Sequence, residues 1–225
     1  SNVLALTADC SAFPKRELDE THRLCAEMGV THLNIKINQL RIDGFVKNTP
    51  LRCYYCKREL MSRLIKAAQE KGFDTVFEGS NADDDNDYRP GMRAVKELGV
   101  LSPLKNAELT KSEIRRLSKA LGLSTYSKPS LACLATRIEY DEEITAQKLK
   151  MTDEAEQVLC DLGLTQVRVR MNDNSARIEV PLDEMKTVFD NAKYINDALK
   201  KIGYDFVSLD LEGYKTGKMN ININN

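Results

Sequence analysis

Three cysteines carry the chemistry this 225-residue chain has to offer. Cys53 and Cys56 form a C-x-x-C pair inside NTPLRCYYCKREL, and Cys133 lies far along the chain in SKPSLACLATRI. Two thiols three residues apart can reach one metal or cluster, or close one redox disulfide. Structural zinc takes four ligands, and the two histidines, His22 and His32, sit in ordinary helix and strand settings. Three thiols with no evident fourth partner fit a [4Fe–4S] cluster with one iron left open to an outside ligand. A redox C-x-x-C with Cys133 as bystander, and a zinc ion completed by water, are the other two readings.

Cationic residues form a second candidate group. In QVRVRM, Arg168 and Arg170 stand two apart, so on a strand both point to the same face. Two guanidinium forks on one face suit a phosphate or a carboxylate, since each can bind bidentately; the alternative is a solvated outer face. Arg137, just after Cys133, would add a third positive group. Asp87, Tyr88 and Arg89 combine an acceptor, a ring face and a planar donor on a turn before Pro90–Gly91. The acidic run Asp83 to Asp85 reads as a solvated loop. Glu156, taken alone, reads as an ordinary helix-surface acid.

The elements needed to position these groups follow from patterning. VLALTAD (3 to 9) has the apolar run of a buried parallel strand. Residues 14 to 29 form a helix opened by Pro14 and closed by Gly29, and THLNIKI (31 to 37) alternates as a strand. Residues 54 to 71 carry Leu60, Leu64, Ile65 and Ala68 on one helical face, and FDTVFEG (73 to 79) is a third short strand. Strand, helix, strand, helix, strand predicts an α/β fold, an open and mostly parallel sheet with helices on both faces. Ligands of such sheets bind beyond the strands' carboxyl ends, where the loop after Ile37 and EGSNADDDNDYRPG lie.

Thr110 with Glu113 three residues on predicts a capping box for a helix over 110 to 122. Further helices are expected over about 141 to 162 and 182 to 202. QVRVRM and SARIEV, joined by NDN, read as a hairpin, and YDFVSLDL is a last strand. The changed rhythm predicts a boundary near Ile138: an α/β domain over 1–138 and a smaller α+β domain over 139–225.

Lys and Arg (33) nearly balance Asp and Glu (34), for a net charge of −1, which argues against a nucleic-acid partner. Apolar runs fall far short of the roughly 20 residues of a membrane helix, and the N-terminus lacks a signal-peptide pattern. The expectation is a soluble cytoplasmic protein. In that reducing setting Cys10, Cys25 and Cys160, each among apolar neighbours, are expected to be core filler.

Taken together, RCYYCKREL, EGSNADDDNDYRPG, SKPSLACLATRI, the VRVR strand with ARIE after it, and LDLEGYKTGKMN resemble the LarE family. These are ATP-dependent sulfur transferases of the PP-loop ATP pyrophosphatase superfamily, and the likeness covers nearly the whole chain. It implies a part in making the nickel-pincer nucleotide cofactor of lactate racemase. ATP, with Mg2+, adenylates a carboxylate of a pyridinium mononucleotide; a sulfur nucleophile then displaces AMP and leaves a thiocarboxylate. One branch of the family sacrifices the sulfur of a single cysteine, and another holds a [4Fe–4S] cluster on three. This chain resembles the cluster branch: Cys53 and Cys56 match its pair, Cys133 its third ligand, and Ala132 stands at the position of the sacrificial cysteine. The same likeness implies that Thr136, Arg137, Glu156, Arg168 and Arg170 line the mononucleotide site, with the arginines on its phosphate. It also implies a homo-oligomer.

The pattern departs from the superfamily in one place. The pyrophosphate-binding loop S-G-G-x-D-S is not found, and the chain starts where the strand after that loop and its helix should start. A strand, loop and helix upstream are therefore expected to be missing from these residues. Two other functions compete: a tRNA thiolation enzyme of the same superfamily, and a non-catalytic binding module stabilised by a metal or cluster.

Overall fold

The computed structural model describes residues 3–86 and 89–220. The chain divides into two units: Ser1–Phe45 with Leu51–Ser130, and Val46–Pro50 with Leu131–Asn225. The division falls after Ser130, where sequence rhythm placed it after Ile138. The LACLATRI segment, from Leu131, thus belongs with the second unit.

The first unit is built on a strand–helix–strand motif. β1 (Leu4–Asp9) and β2 (Thr31–Lys36) pair in parallel, Leu4 opposite Thr31 through Asp9 opposite Lys36. Between them runs α1 (Lys15–Glu27), opened by Pro14 and ended by Gly29 at φ +64. That dihedral lies in the left-handed region, where glycine meets no Cβ penalty. α1 and the long helix α3 (Arg52–Glu70) both pack against the two strands. A one-turn α2 (Asp43–Val46) precedes α3.

The expected strand over 73 to 79 shrinks to a single parallel bridge between Phe77 and Leu101. Leu101 donates to Val76 and accepts from Glu78, but the ladder cannot grow. On one side Gly99 turns the chain at φ +68, and on the other Pro103 opens the short α5 (Pro103–Asn106). Proline has no N–H to extend a ladder and favours the first helical turn. α4 (Gly91–Glu97) lies against α3. α6 (Lys111–Ala120) carries the capping box that its sequence predicts, the Thr110 hydroxyl and the Glu113 carboxylate each serving the other's backbone N–H.

In the second unit β3 (Arg168–Asn172) and β4 (Ser175–Glu179) form the antiparallel hairpin read from VRVR and ARIE. β5 (Phe206–Leu209) then adds in parallel to β4. One sheet face, with Val169, Met171, Ala176 and Ile178, packs with Ala155 and Leu159 of α7 (Ala146–Cys160) and Ile195 and Leu199 of α9 (Ala192–Ile202). α7 starts later than patterning suggests because Thr145 caps it, accepting from the Lys148 N–H, and Asp141 upstream sits at φ +67. The expected helix over 182 to 202 is broken into a 3-10 turn, α8 (Met185–Asp190) and α9. The break falls at Asn191, whose side-chain amide donates to the Thr187 carbonyl. Asparagine competes with helix hydrogen bonds in just this way.

Residues 46 to 50 join the second unit through Asn48, which is fully buried at φ +51. Its Nδ2 donates to the Glu139 carbonyl (2.6 Å) and to that of Ile138 (3.4 Å), and its own carbonyl accepts from Asp141. Asn48→Ala is expected to destabilise the protein by about 2–4 kcal/mol, from an unmade buried hydrogen bond and a left-handed alanine. Asn48→Gly, which relieves only the backbone penalty, should lose about 1 kcal/mol less. Urea unfolding midpoints of the two variants check both numbers.

Candidate functional site

The first turn of α3 positions two of the three cysteines. Their i, i+3 spacing on a helix puts Cys53 and Cys56 on one face, with Cys53 exposed and Cys56 half-buried. Gln39, fully buried in a 3-10 turn (Gln39–Arg41) after β2, donates from Nε2 to the Cys56 sulfur at 2.9 Å. Its Oε1 accepts from the Ala12 N–H at 3.1 Å. That second bond fixes the amide's orientation, so the sulfur always faces a donor. Gly91 opens α4 against the Cys53 carbonyl, where an added Cβ would lie 3.3 Å from the oxygen.

Beside Cys56, Lys57 reaches across to Glu78 at 3.3 Å. The Glu78 carboxylate also accepts from the hydroxyls of Ser80 and Ser102. Burial raises its pKa, but the Ser102 and Ser80 hydrogen bonds and the Lys57 charge outweigh that and leave it below the ordinary value. Asp84 accepts from the Asn81 N–H and pairs with Arg89 at 2.8 Å. Asp83 accepts from the backbone of Lys111. These two acids are thus engaged in holding their own loop. Asp87 and Tyr88 lie outside the described residues.

In the second unit ion pairs line the outer edge of β3 and the sheet face turned away from the apolar core. Cys133, half-buried, begins a 3-10 turn over Leu134–Arg137. Thr136 Oγ1 donates to the Cys133 carbonyl at 2.8 Å. Arg137, with its side chain wholly out of solvent, grips Glu156 of α7 through Nε (2.7 Å) and Nη2 (2.9 Å). Its Nη1 donates to the carbonyls of Ala132 (2.9 Å) and Cys133 (3.2 Å) and to the Thr136 hydroxyl (2.8 Å). Glu156 Oε1 also accepts from the Val169 N–H of β3 at 3.0 Å. Far from a surface acid, Glu156 is a buried junction.

Arg168 and Arg170 share a face, as their spacing requires, and neither side chain stands out in solvent. Arg170 donates from Nε and Nη2 to the fully buried Glu179, and from Nη1 to the Thr136 carbonyl at 2.7 Å. Arg168 is buried, donates to the Val167 carbonyl and lies 5.2 Å above the Tyr214 ring. Gly213, at φ +72, lets the chain bring Tyr214 there, since an added Cβ would stand 2.9 Å from the Val180 carbonyl. Burial, and next the Arg137 charge, push the Arg168 pKa below the ordinary guanidinium value, with Glu156 pulling the other way. Bringing an anion to Arg168 would relieve both penalties.

The candidate residues therefore fall into two groups: the Cys53–Cys56 pair in the first unit, and Cys133, Thr136, Arg137, Glu156, Arg168 and Arg170 in the second. Among the described residues of either unit, no three Cys, His, Asp or Glu side chains are gathered to hold a metal ion. Gln39, Lys57, Glu78 and Glu179 were not singled out by sequence: Lys57, Glu78 and Glu179 lie inside the quoted motifs, but the contacts that set their roles come from other elements, and Gln39 lies in no motif.

No family model matches the chain. What fold and site define is a mixed α/β protein with a C-x-x-C on a helix N-terminus and a buried arginine–glutamate layer. Three curated proteins resemble it along most of their length. An uncharacterised protein of Synechocystis is 38% identical over 97% of this chain and 82% of its own. The pyridinium-3,5-bisthiocarboxylic acid mononucleotide synthase of Lactiplantibacillus plantarum is 33% identical over 97% of this chain and 79% of its own. An uncharacterised protein of Methanocaldococcus jannaschii is 33% identical over 82% of this chain and 71% of its own. The chain belongs to the family of that synthase, the LarE family. No described helix is long and apolar enough to cross a membrane.

Proposed function

We propose that this protein is a sulfur transferase converting a carboxylate of a pyridinium mononucleotide to a thiocarboxylate, in synthesis of the nickel-pincer nucleotide. The observation that carries the proposal is the 33% identity to the mononucleotide synthase along 97% of the chain. In this reading ATP activates the carboxylate as an acyl-adenylate, releasing pyrophosphate. The sulfur nucleophile then adds at the acyl carbon, and AMP departs with the bonding electrons. ATP, its Mg2+, the PP-loop character of the fold, a homo-oligomeric state and a cytoplasmic setting enter through kinship with that synthase.

Arg168 and Arg170 are the proposed holders of the substrate phosphate. They sit on one strand face beside the Cys133 turn, and at Arg168 an arriving anion would offset both burial and repulsion from Arg137. Cys53, Cys56 and Cys133 are the proposed ligands of a [4Fe–4S] cluster. The donor set suits one: no cysteine is in a disulfide, two share a helical turn, and Gln39 turns an N–H toward the Cys56 sulfur. Hydrogen bonds of that kind to ligand sulfur accompany and tune such clusters. When bound, the cluster would supply the sulfur to be transferred.

The test is an anaerobic assay of the full-length protein with ATP, sulfide and the pyridinium dicarboxylate mononucleotide, read by mass spectrometry. The expected product replaces one carboxylate oxygen by sulfur, with AMP formed in equal amount. Pyrophosphate release with no sulfur-containing product would reject the transferase reading.

A further inference from the structure

We infer that Arg137 is a positioning residue that fixes the Cys133 segment, and that it does not hold the substrate phosphate. The inference deepens the proposed function, since it rests on Cys133 being the working thiol of its unit. Its ground is how the guanidinium is engaged: five hydrogen bonds, all inside the second unit. One edge makes a two-point contact with Glu156 of α7. The other edge gathers the carbonyls of Ala132 and Cys133 and the hydroxyl of Thr136, so the turn carrying Cys133 is fastened to a helix.

The carboxylate that holds Arg137 in turn accepts the Val169 N–H. A single ion pair therefore joins α7, β3 and the Cys133 turn. Nε and Nη1 are fully taken up and Nη2 spends one N–H on Glu156, so a two-point grip on phosphate would require displacing Glu156 or the acceptors around Nη1. The first leaves a buried carboxylate beside a second anion, and the second frees the turn that carries the thiol. Either outcome costs several kcal/mol in a site from which water is excluded. Arg170 completes the brace from the sheet side, donating to the Thr136 carbonyl. The backbone of the turn that carries the residue 133 thiol is thus held by the buried Arg137 and the half-buried Arg170, as precise group transfer requires.

The test compares wild type, Arg137→Lys and Thr136→Val as reduced, metal-free proteins. Iodoacetamide alkylation of each cysteine is followed by mass spectrometry. Lysine keeps the charge facing Glu156 but cannot fork to two carbonyls. Valine removes only the hydroxyl that links Arg137 to the turn, and it keeps the inference open to test should Arg137→Lys not fold. Cys133 alkylation is expected to rise about tenfold in Arg137→Lys and roughly threefold in Thr136→Val, as opening of the turn loses one or more charge-assisted hydrogen bonds. Cys25 and Cys160 should react at wild-type rates. In the active protein, kcat should fall while KM for the mononucleotide stays within about twofold. Unchanged Cys133 alkylation in both variants would overturn the inference, as would a KM raised more than tenfold in Arg137→Lys. Neither readout of thiol access depends on a cluster or on turnover, so failure of the proposed function would be seen separately.

Discussion

Replacing Glu156 by alanine is expected to destabilise the second unit by about 3–5 kcal/mol, the usual consequence of stranding one member of a buried ion pair. The side chains of Arg137 and Glu156 are 0% and 3% exposed, so solvent cannot take over the lost partner. The same substitution removes the acceptor of the Val169 N–H at the start of β3. Glu156→Gln should cost about half as much. It can still accept from one donor, but it leaves the guanidinium charge uncompensated. Removing both charges as Arg137→Met with Glu156→Leu should cost less than the sum of the single changes, because no charge is then stranded. Urea unfolding at constant m-value measures these variants together with the single changes Arg137→Met and Glu156→Leu. Additive costs in that cycle would mean that the two side chains act independently and would dismiss the pair as a junction.

This pair also marks where sequence stops being informative. Period-two alternation made Val169 and Met171 inward, and Arg168 and Arg170 their opposites, and the strand obeys it. Whether that second face met water or protein could not be read, since it depends on Glu156 and Glu179 arriving from a helix and from the next strand. Local signals held where one interaction decided the outcome. The Thr110–Glu113 capping box, the Gly29 stop and the NDN hairpin are cases. They failed where a distant residue decided. The strand over 73 to 79 had the right composition but, among the described residues, pairs through a single bridge to Leu101, and nothing in FDTVFEG announces that Pro103 would end the ladder. Gln39 shows the same limit at the site. A glutamine in NQLR carries no signal until folding sets it between the Ala12 N–H and the Cys56 sulfur.

The largest functional effect is expected at Cys133. In the proposed reading, Cys133→Ala removes one of three thiolate ligands, so iron and acid-labile sulfide in the anaerobically prepared protein should fall to background. Transfer of sulfur to the mononucleotide should drop by at least about a thousandfold, the scale on which loss of a nucleophile's holder is felt. Compared as metal-free proteins, stability should barely move, because a half-buried Cys-to-Ala change at a turn leaves the Arg137–Glu156 anchor in place. A shift within about 0.5 kcal/mol fits that class of substitution. ATP-dependent release of pyrophosphate should survive, since adenylation of the carboxylate precedes any use of sulfur. Cys160→Ala supplies the control: that side chain packs against the apolar core of its unit, and its loss should alter neither iron nor transfer. Wild-type iron content in Cys133→Ala would remove this residue from the ligand set. If transfer were lost while iron stayed, Cys133 would be marked as the sulfur donor itself, a different mechanism carried by the same turn.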